Sequence, residues 1–198
     1  MERWHLDTVI GVILSGGKSS RMGTNKSLLK IQGQPVIERI LTELKSCSNE
    51  VMVVANQPDS YRFLGVKQAK DRYLDKGPLA GLETALYHSD GEIFMFAACD
   101  MPFISRDVYQ YLLKQLNHYD AVVPIYDNRM HPIAGIYKKS VLPVIQAQIG
   151  KNDLRVKSFF EYIHVNYVRN FAGIDDALLQ KHFFNMNHPA QYEEAKLL

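Results

Sequence analysis

The chain has 198 residues, 46% of them apolar and 22% charged, the balance of an ordinary soluble globular domain and not of a disordered or collagen-like one. Lysine plus arginine exceed aspartate plus glutamate by 23 − 21 = 2, too small a surplus to suggest a duplex-binding protein, though a few well-placed cations suffice for small anions. The longest apolar run, Ile93 to Cys99, is far too short to span a bilayer, and Met1 to His5 lacks the apolar core of a secretory signal. Cys47 and Cys99 stand 52 positions apart, so neither a zinc site nor a disulfide framework is expected. Both read as reduced, Cys99 as a small buried filler, and the protein as cytoplasmic.

Thr8 to Leu14 is apolar and β-branched and reads as a strand buried on both faces. Pro35 opens a helix whose apolar stripe is Val36, Ile37, Ile40, Leu41 and Leu44. Glu50 to Ala55 and Val66 to Ala69 predict two more strands, Leu79 to His88 a helix, and Glu92 to Cys99 the strongest strand. Ser105 is an N-cap candidate for a helix carrying Val108, Leu112, Leu113 and Leu116, and Ala121 to Ile125 is again strand-like. Beyond Tyr126, His131–Tyr137, His164–Val168 and Phe183–Met186 are short strand candidates. They alternate with helices over Val141–Ile149, Leu154–Tyr162 and Ala190–Leu197. Buried strands alternating with helices predict an α/β three-layer sandwich, its central sheet mostly parallel and covered on both faces. No linker or repeat interrupts residues 1–198, which read as a single domain.

Three segments carry chemistry. The first, Leu14-Ser15-Gly16-Gly17-Lys18-Ser19-Ser20-Arg21-Met22-Gly23-Thr24-Asn25-Lys26, follows the first strand. Glycines that let backbone N–H groups approach, together with Lys18, Arg21 and Lys26, describe a phosphate cradle. It is not a P-loop, because Lys26 does not directly follow Gly23. Nor is it a dinucleotide fingerprint, because Gly16 and Gly17 are adjacent. The second segment runs from Asp71 to Gly77-Pro78-Leu79-Ala80-Gly81, where Pro78 fixes the helix entry and the glycines leave room for a bulky group. The third is Cys99-Asp100-Met101-Pro102-Phe103, which puts a carboxylate at the end of a buried strand. That placement is costly unless a divalent cation bridges it to substrate phosphates. Asn56 ends the second strand. In a parallel sheet these strand ends share one edge.

These segments resemble the signatures of the molybdenum cofactor guanylyltransferases, nucleotidyltransferases with a Rossmann-like fold. The resemblance continues through His131-Pro132, Gly150…Arg155…Phe159 and Asn185-Met186-Asn187. It implies GMP transfer from Mg²⁺-GTP to the terminal phosphate of molybdopterin, with pyrophosphate released. Carried over, Leu14, Ser15, Gly16 and Gly17 would contact the nucleotide through backbone groups, and Lys26 and Arg21 would neutralise phosphate. Asp71, Asn56, Pro78, Leu79 and Gly81 would help hold the nucleotide. Asp100 would ligate Mg²⁺, with Asn187 a second metal candidate. About residues 1–126 would form the nucleotide half and about 127–198 the acceptor half, where His131 and Arg155 would face the acceptor. Transient contacts with cofactor-insertion proteins and molybdoenzymes would follow, without nucleic acid or membrane. Two departures stand out: Asn25 occupies a position where the family commonly has Asp, and Asn187-His188-Pro189-Ala190-Gln191 replaces a typical Thr-Pro-Glu-Asp. Related cytidylyl- or sugar-1-phosphate nucleotidylyltransferases share the glycine-rich opening. A non-catalytic nucleotide-binding partner is the competing class, against which the joint retention of Lys26 and Asp100 argues.

Overall fold

A computed structural model describes residues 8–16, 25–74 and 76–198. Its main sheet is built on β1 (Val9–Ser15), which pairs in parallel with β4 (Glu50–Ala55) on one side and β6 (Ile93–Ala98) on the other. β5 (Lys67–Lys70) extends the β4 edge in parallel. On the opposite side the order is β6, β9 (Ile136–Lys138), β7 (Ala121–Tyr126) and β10 (Val165–Val168), with β9 antiparallel to both its neighbours and β10 parallel to β7. β8 (Arg129–Met130) folds back on β7 as a hairpin through Asp127 and Asn128, both at positive φ. A separate small hairpin joins β2 (Lys30–Ile31) to β3 (Gln34–Pro35).

Side chains of each central strand alternate between two cores, as the strand period requires. Val9 and Ile13 of β1, Val51 and Val53 of β4, and Ile93 and Met95 of β6 pack with α1 (Val36–Lys45) and α3 (Arg106–Lys114). Ile10 and Val12, Met52 and Val54, and Phe94 and Phe96 face α2 (Gly77–His88) and α4 (Leu142–Gly150). Both faces are thus dry, which is why these strands read as unbroken apolar runs. The helix stripe of α1 is the predicted one: Val36, Ile37, Ile40, Leu41 and Leu44 are its buried residues. Ser105 caps α3, its side chain accepting from the N–H of Asp107 at 3.2 Å.

The second half departs from expectation in three places. His131–Tyr137 is not one strand, because Pro132 starts a 3₁₀ turn over Pro132–Ala134 and only Ile136–Lys138 pairs in the sheet. Leu154–Tyr162 is a 3₁₀ segment over Val156–Tyr162 rather than an α-helix. Phe183–Met186 is not a strand: Phe183 caps α5 (Asp176–His182), a helix the sequence reading misses, and its apolarity serves aromatic packing against Tyr126 and His131. α6 (Pro189–Ala195) completes the chain. Among the described residues no helix is long and apolar enough to cross a membrane.

Gly135 leads into β9, and a Cβ there would lie 2.8 Å from the backbone oxygen of Val122 in the neighbouring strand. Backbone on both sides leaves nothing to yield. Gly135→Ala is therefore expected to lower stability by about 1–3 kcal/mol in urea denaturation.

Candidate active site

The parallel strands β5, β4, β1 and β6 end on one edge of the sheet, and the loops after them line a cavity of about 640 Å³. This is where open α/β sheets bind ligands. Gly16 follows β1, Asn56 follows β4, Asp71 follows β5, and Cys99 with Asp100 follows β6; all reach the cavity. Gly77, Pro78 and Gly81 bring the start of α2 to one wall, and Met130 to Ala134 form the facing wall. Gly81 lets α2 lie close across β1: a Cβ there would sit 3.1 Å from Leu14 Cδ2.

Asp100 sits on the floor. Its main chain is held by Met186, whose N–H donates to the Asp100 carbonyl at 2.8 Å. The side chain is in a different state: Oδ1 is buried without a hydrogen-bond partner among the described residues. Burial raises its carboxyl above the ordinary value, against the opposing charge of Lys26. Among the described residues no three His, Cys, Asp or Glu cluster as a metal centre. One carboxylate with an unsatisfied buried oxygen suits a hard cation that takes its remaining ligands from phosphate and water, as Mg²⁺ does.

Lys26 lies in a 3₁₀ turn, Lys26–Leu28, and its Nζ donates to the Asn187 carbonyl at 3.3 Å. Ser15 does not present its side chain to the cavity; its Oγ is 2.6 Å from the hydroxyl of Tyr61. Cys99 lines the cavity rather than filling the core, and burial together with the neighbouring Asp100 pushes its thiol up to about 11. Both cysteines are free.

Asp71 is half-buried, and burial raises its carboxyl above the ordinary range. Oδ1 accepts the N–H of Tyr73 at 3.1 Å and the hydroxyl of Thr84 at 3.4 Å, which leaves Oδ2 for a ligand. The support beneath it is absent from the sequence reading. Arg72 bonds Thr84 through its N–H and pairs with Glu83 at 2.6 Å. Glu83 is fully buried on α2 and also accepts from Gln146 of α4 at 2.8 Å. A lone glutamate between Leu82 and Thr84 in an otherwise apolar helix was the available signal.

Several expected site residues lie elsewhere. Leu79 is fully buried in the core and does not line the cavity. Arg155 is not brought to it either: its side chain is 71% exposed and grips Asp153 with two bonds of 2.9 and 2.6 Å. Asn187 offers its carbonyl to Lys26, while Asn185 lines the cavity in its place. Gly17 and Arg21 fall outside the described residues. His131 does line the cavity, and burial lowers its pKa, so it presents a neutral imidazole at pH 7.

A mostly parallel sheet with a cavity at the carboxyl ends of its strands and a carboxylate at the end of β6 is an arrangement in which α/β proteins bind nucleotides. Comparison with known proteins places it more closely. The MobA-like NTP transferase domain matches residues 11–166. The "probable molybdenum cofactor guanylyltransferase" of Carboxydothermus hydrogenoformans is 37% identical over 183 residues, covering 92% of each chain. Its Clostridium perfringens counterpart is 36% identical over 186 residues, covering 92% of this chain and 93% of its own. The crystal structure of molybdopterin-guanine dinucleotide biosynthesis protein A from Archaeoglobus fulgidus shares the fold, with a TM-score of 0.81 at 23% identity and coverage of 95% and 97%. The chain belongs to the MobA-like NTP transferase family.

Burial of an unpaired carboxylate has a measurable consequence at Asp100. With its pKa raised, the folded protein holds that proton more tightly than the unfolded chain does. Without ligand, stability is therefore greatest below the ordinary carboxylate range and is lost as pH rises through the elevated folded value. Asp100→Asn removes this loss, so its melting temperature should exceed that of the parent at pH 7 and converge with it at acid pH. Millimolar Mg²⁺ with nucleotide should stabilise the parent and not the variant, as followed by thermal unfolding across pH.

Proposed function

We propose that the protein transfers GMP from Mg²⁺-GTP onto the terminal phosphate of molybdopterin, forming the guanine dinucleotide cofactor and releasing pyrophosphate. The observation that carries this reading is the buried, unpartnered Oδ1 of Asp100 beside Lys26, on the floor of a cavity of about 640 Å³. Such a volume is in the range of small-molecule sites. Names of the relatives and the arrangement of site residues point the same way.

The guanine would lie between the ends of β1 and β4 and the start of α2. Asp71 Oδ2 can accept from both N1–H and N2–H of guanine, donors that adenine and cytosine do not present together. Gly77 and Pro78 line the cavity at the start of a 12-residue helix whose first turn has no side-chain cap among the described residues, a favourable place for phosphate. Lys26 does not line the cavity, but its charge reaches Asp100 and would reach a phosphate there, and Arg21 and the backbone of Gly16 and Gly17 are the further expected phosphate ligands. When bound at Asp100, Mg²⁺ would neutralise charge on the triphosphate.

Chemistry then requires only alignment. An oxygen of the acceptor phosphate attacks the α-phosphorus, the bond to the bridging oxygen of the β-phosphate breaks, and pyrophosphate departs. No covalent nucleophile is needed, in keeping with the raised thiol of Cys99. The acceptor would lie against the wall from Met130 to Ala134, with His131 donating a neutral hydrogen bond. An acceptor role for Arg155 would require its release from Asp153. Asn187 would act through Lys26, whose Nζ it holds.

Pyrophosphate release with molybdopterin, Mg²⁺ and each nucleoside triphosphate tests the reading. GTP should be preferred over CTP and ATP at least tenfold, about 1.4 kcal/mol; equal use of CTP would make the enzyme a cytidylyltransferase, and binding without turnover a non-catalytic partner. Lys26→Ala should lower kcat/KM by roughly 2–4 kcal/mol, and Asp100→Asn should abolish turnover. His131→Ala should raise the KM for molybdopterin while leaving that for GTP alone. The same titration of Arg155→Ala decides whether that residue belongs to the acceptor site.

A further inference from the structure

Tyr61 lies in the 3₁₀ segment Pro58–Leu64 that links β4 to β5, and only 2% of it is exposed. Its ring packs in the core, but its hydroxyl is engaged on three sides. Ser15 Oγ, at the end of β1, is 2.6 Å away; Asn25 Nδ2 donates to it at 2.8 Å; and Ser27 Oγ is 3.0 Å away. Asn25 and Ser27 flank Lys26 in sequence. They are bonded to each other as well, Asn25 Oδ1 accepting the Ser27 N–H at 3.2 Å and its hydroxyl at 2.7 Å. The Ser27 hydroxyl thereby spends its proton on Asn25 Oδ1, so the Tyr61 proton serves Ser27 and the Ser15 hydroxyl can donate to Tyr61 across the shortest of the three contacts.

From this geometry we infer that Tyr61 is a positioning residue for Lys26. Its hydroxyl fastens the turn that carries Lys26 to the end of β1. It does so from a third strand connection, so that the ammonium group is held near Asp100 instead of sweeping the cavity mouth. Lysine is a flexible four-carbon stem, and fixing its Cα is the main way a protein can aim it. The alternative, that the network only stabilises the fold, predicts a loss of stability and no coupling to Lys26. The inference rests on the nucleotide reading of the cavity, but not on which base or acceptor is used.

The test is a double-mutant cycle read by calorimetric titration with Mg²⁺ and whichever of GTP, CTP and ATP the wild type binds most tightly. Tyr61→Phe keeps the ring and removes the hydroxyl, and should weaken nucleotide binding about tenfold, the worth of a buried hydrogen bond or two. In a Lys26→Ala background the same change should cost less than about twofold, because its route to the ligand is gone. Asn25→Leu, which strikes the network from the other side, should behave alike. Asn25→Asp keeps both acceptor contacts and lets Tyr61 turn its proton towards the new carboxylate. It should therefore bind within about twofold of wild type. A Tyr61→Phe penalty that persists undiminished without Lys26 would overturn the inference, as would an Asn25→Asp loss matching that of Asn25→Leu. If CTP proves the tightest ligand, the guanylyl reading falls while the tyrosine is scored with CTP. If no triphosphate binds, both fall.

Discussion

Parallel pairing of β1 with β4 on one side and β6 on the other is the constraint on which this site depends. Because the three strands run in one direction, their carboxyl ends coincide, and residues distant in sequence meet without any of them being adjacent along the chain. Gly16, Asn56 and Asp100 reach one cavity for this reason, and Asp71 joins them through the further parallel pairing of β5 with β4. Helices packed on both faces bury these strands, so the carboxylate at the end of β6 emerges from a dry interior. Its orphaned oxygen is a product of that placement, and so is its demand for a cation.

Support for the carboxylate at Asp71 is built differently. There the loop is held by an ion pair between the partly exposed Arg72 and the buried Glu83, braced by Gln146 and covered by the ring of Tyr87, whose centroid is 3.4 Å from the guanidinium carbon. Asp100 is left bare for a ligand, while Glu83 takes both Arg72 and Gln146 on Oε1 and keeps Oε2 buried without a partner among the described residues. Buried ion pairs give little net stability, but removing one partner is costly, which ties the shape of this loop to the helix that opens towards the cavity.

Legibility followed the physics of each region. The first half was readable almost residue by residue, because apolar runs buried on both faces, the stripe of α1 and the Ser105 cap are local signals. The strand-end residues Asn56 and Asp100 were readable through topology, and Asp71 through the family resemblance. The second half was readable only in part: α4, β10 and α6 lie where expected, but elsewhere apolarity serves aromatic packing, and Phe183 stacks on Tyr126 with ring centroids 5.1 Å apart and belongs to no strand. Arg155 looked available because a sequence does not show that Asp153, two residues earlier, takes its guanidinium. Tyr61 was invisible for a related reason, since it matters only through partners at least 34 positions away, and Glu83 showed as a glutamate in an apolar helix without its partners Arg72 and Gln146 being legible.

The antiparallel strand β9 lies between β6 and β7 and is hydrogen-bonded to both. It therefore stitches the strands of the two halves into one continuous sheet, with Gly135 pressed against the backbone of Val122 at the seam. A hinge between the halves would have to tear that ladder. The walls of the cavity thus keep a fixed spacing, and any closing over substrates falls to the loops at its rim. In engineering terms the body of this molecule is a vice with its jaws already set.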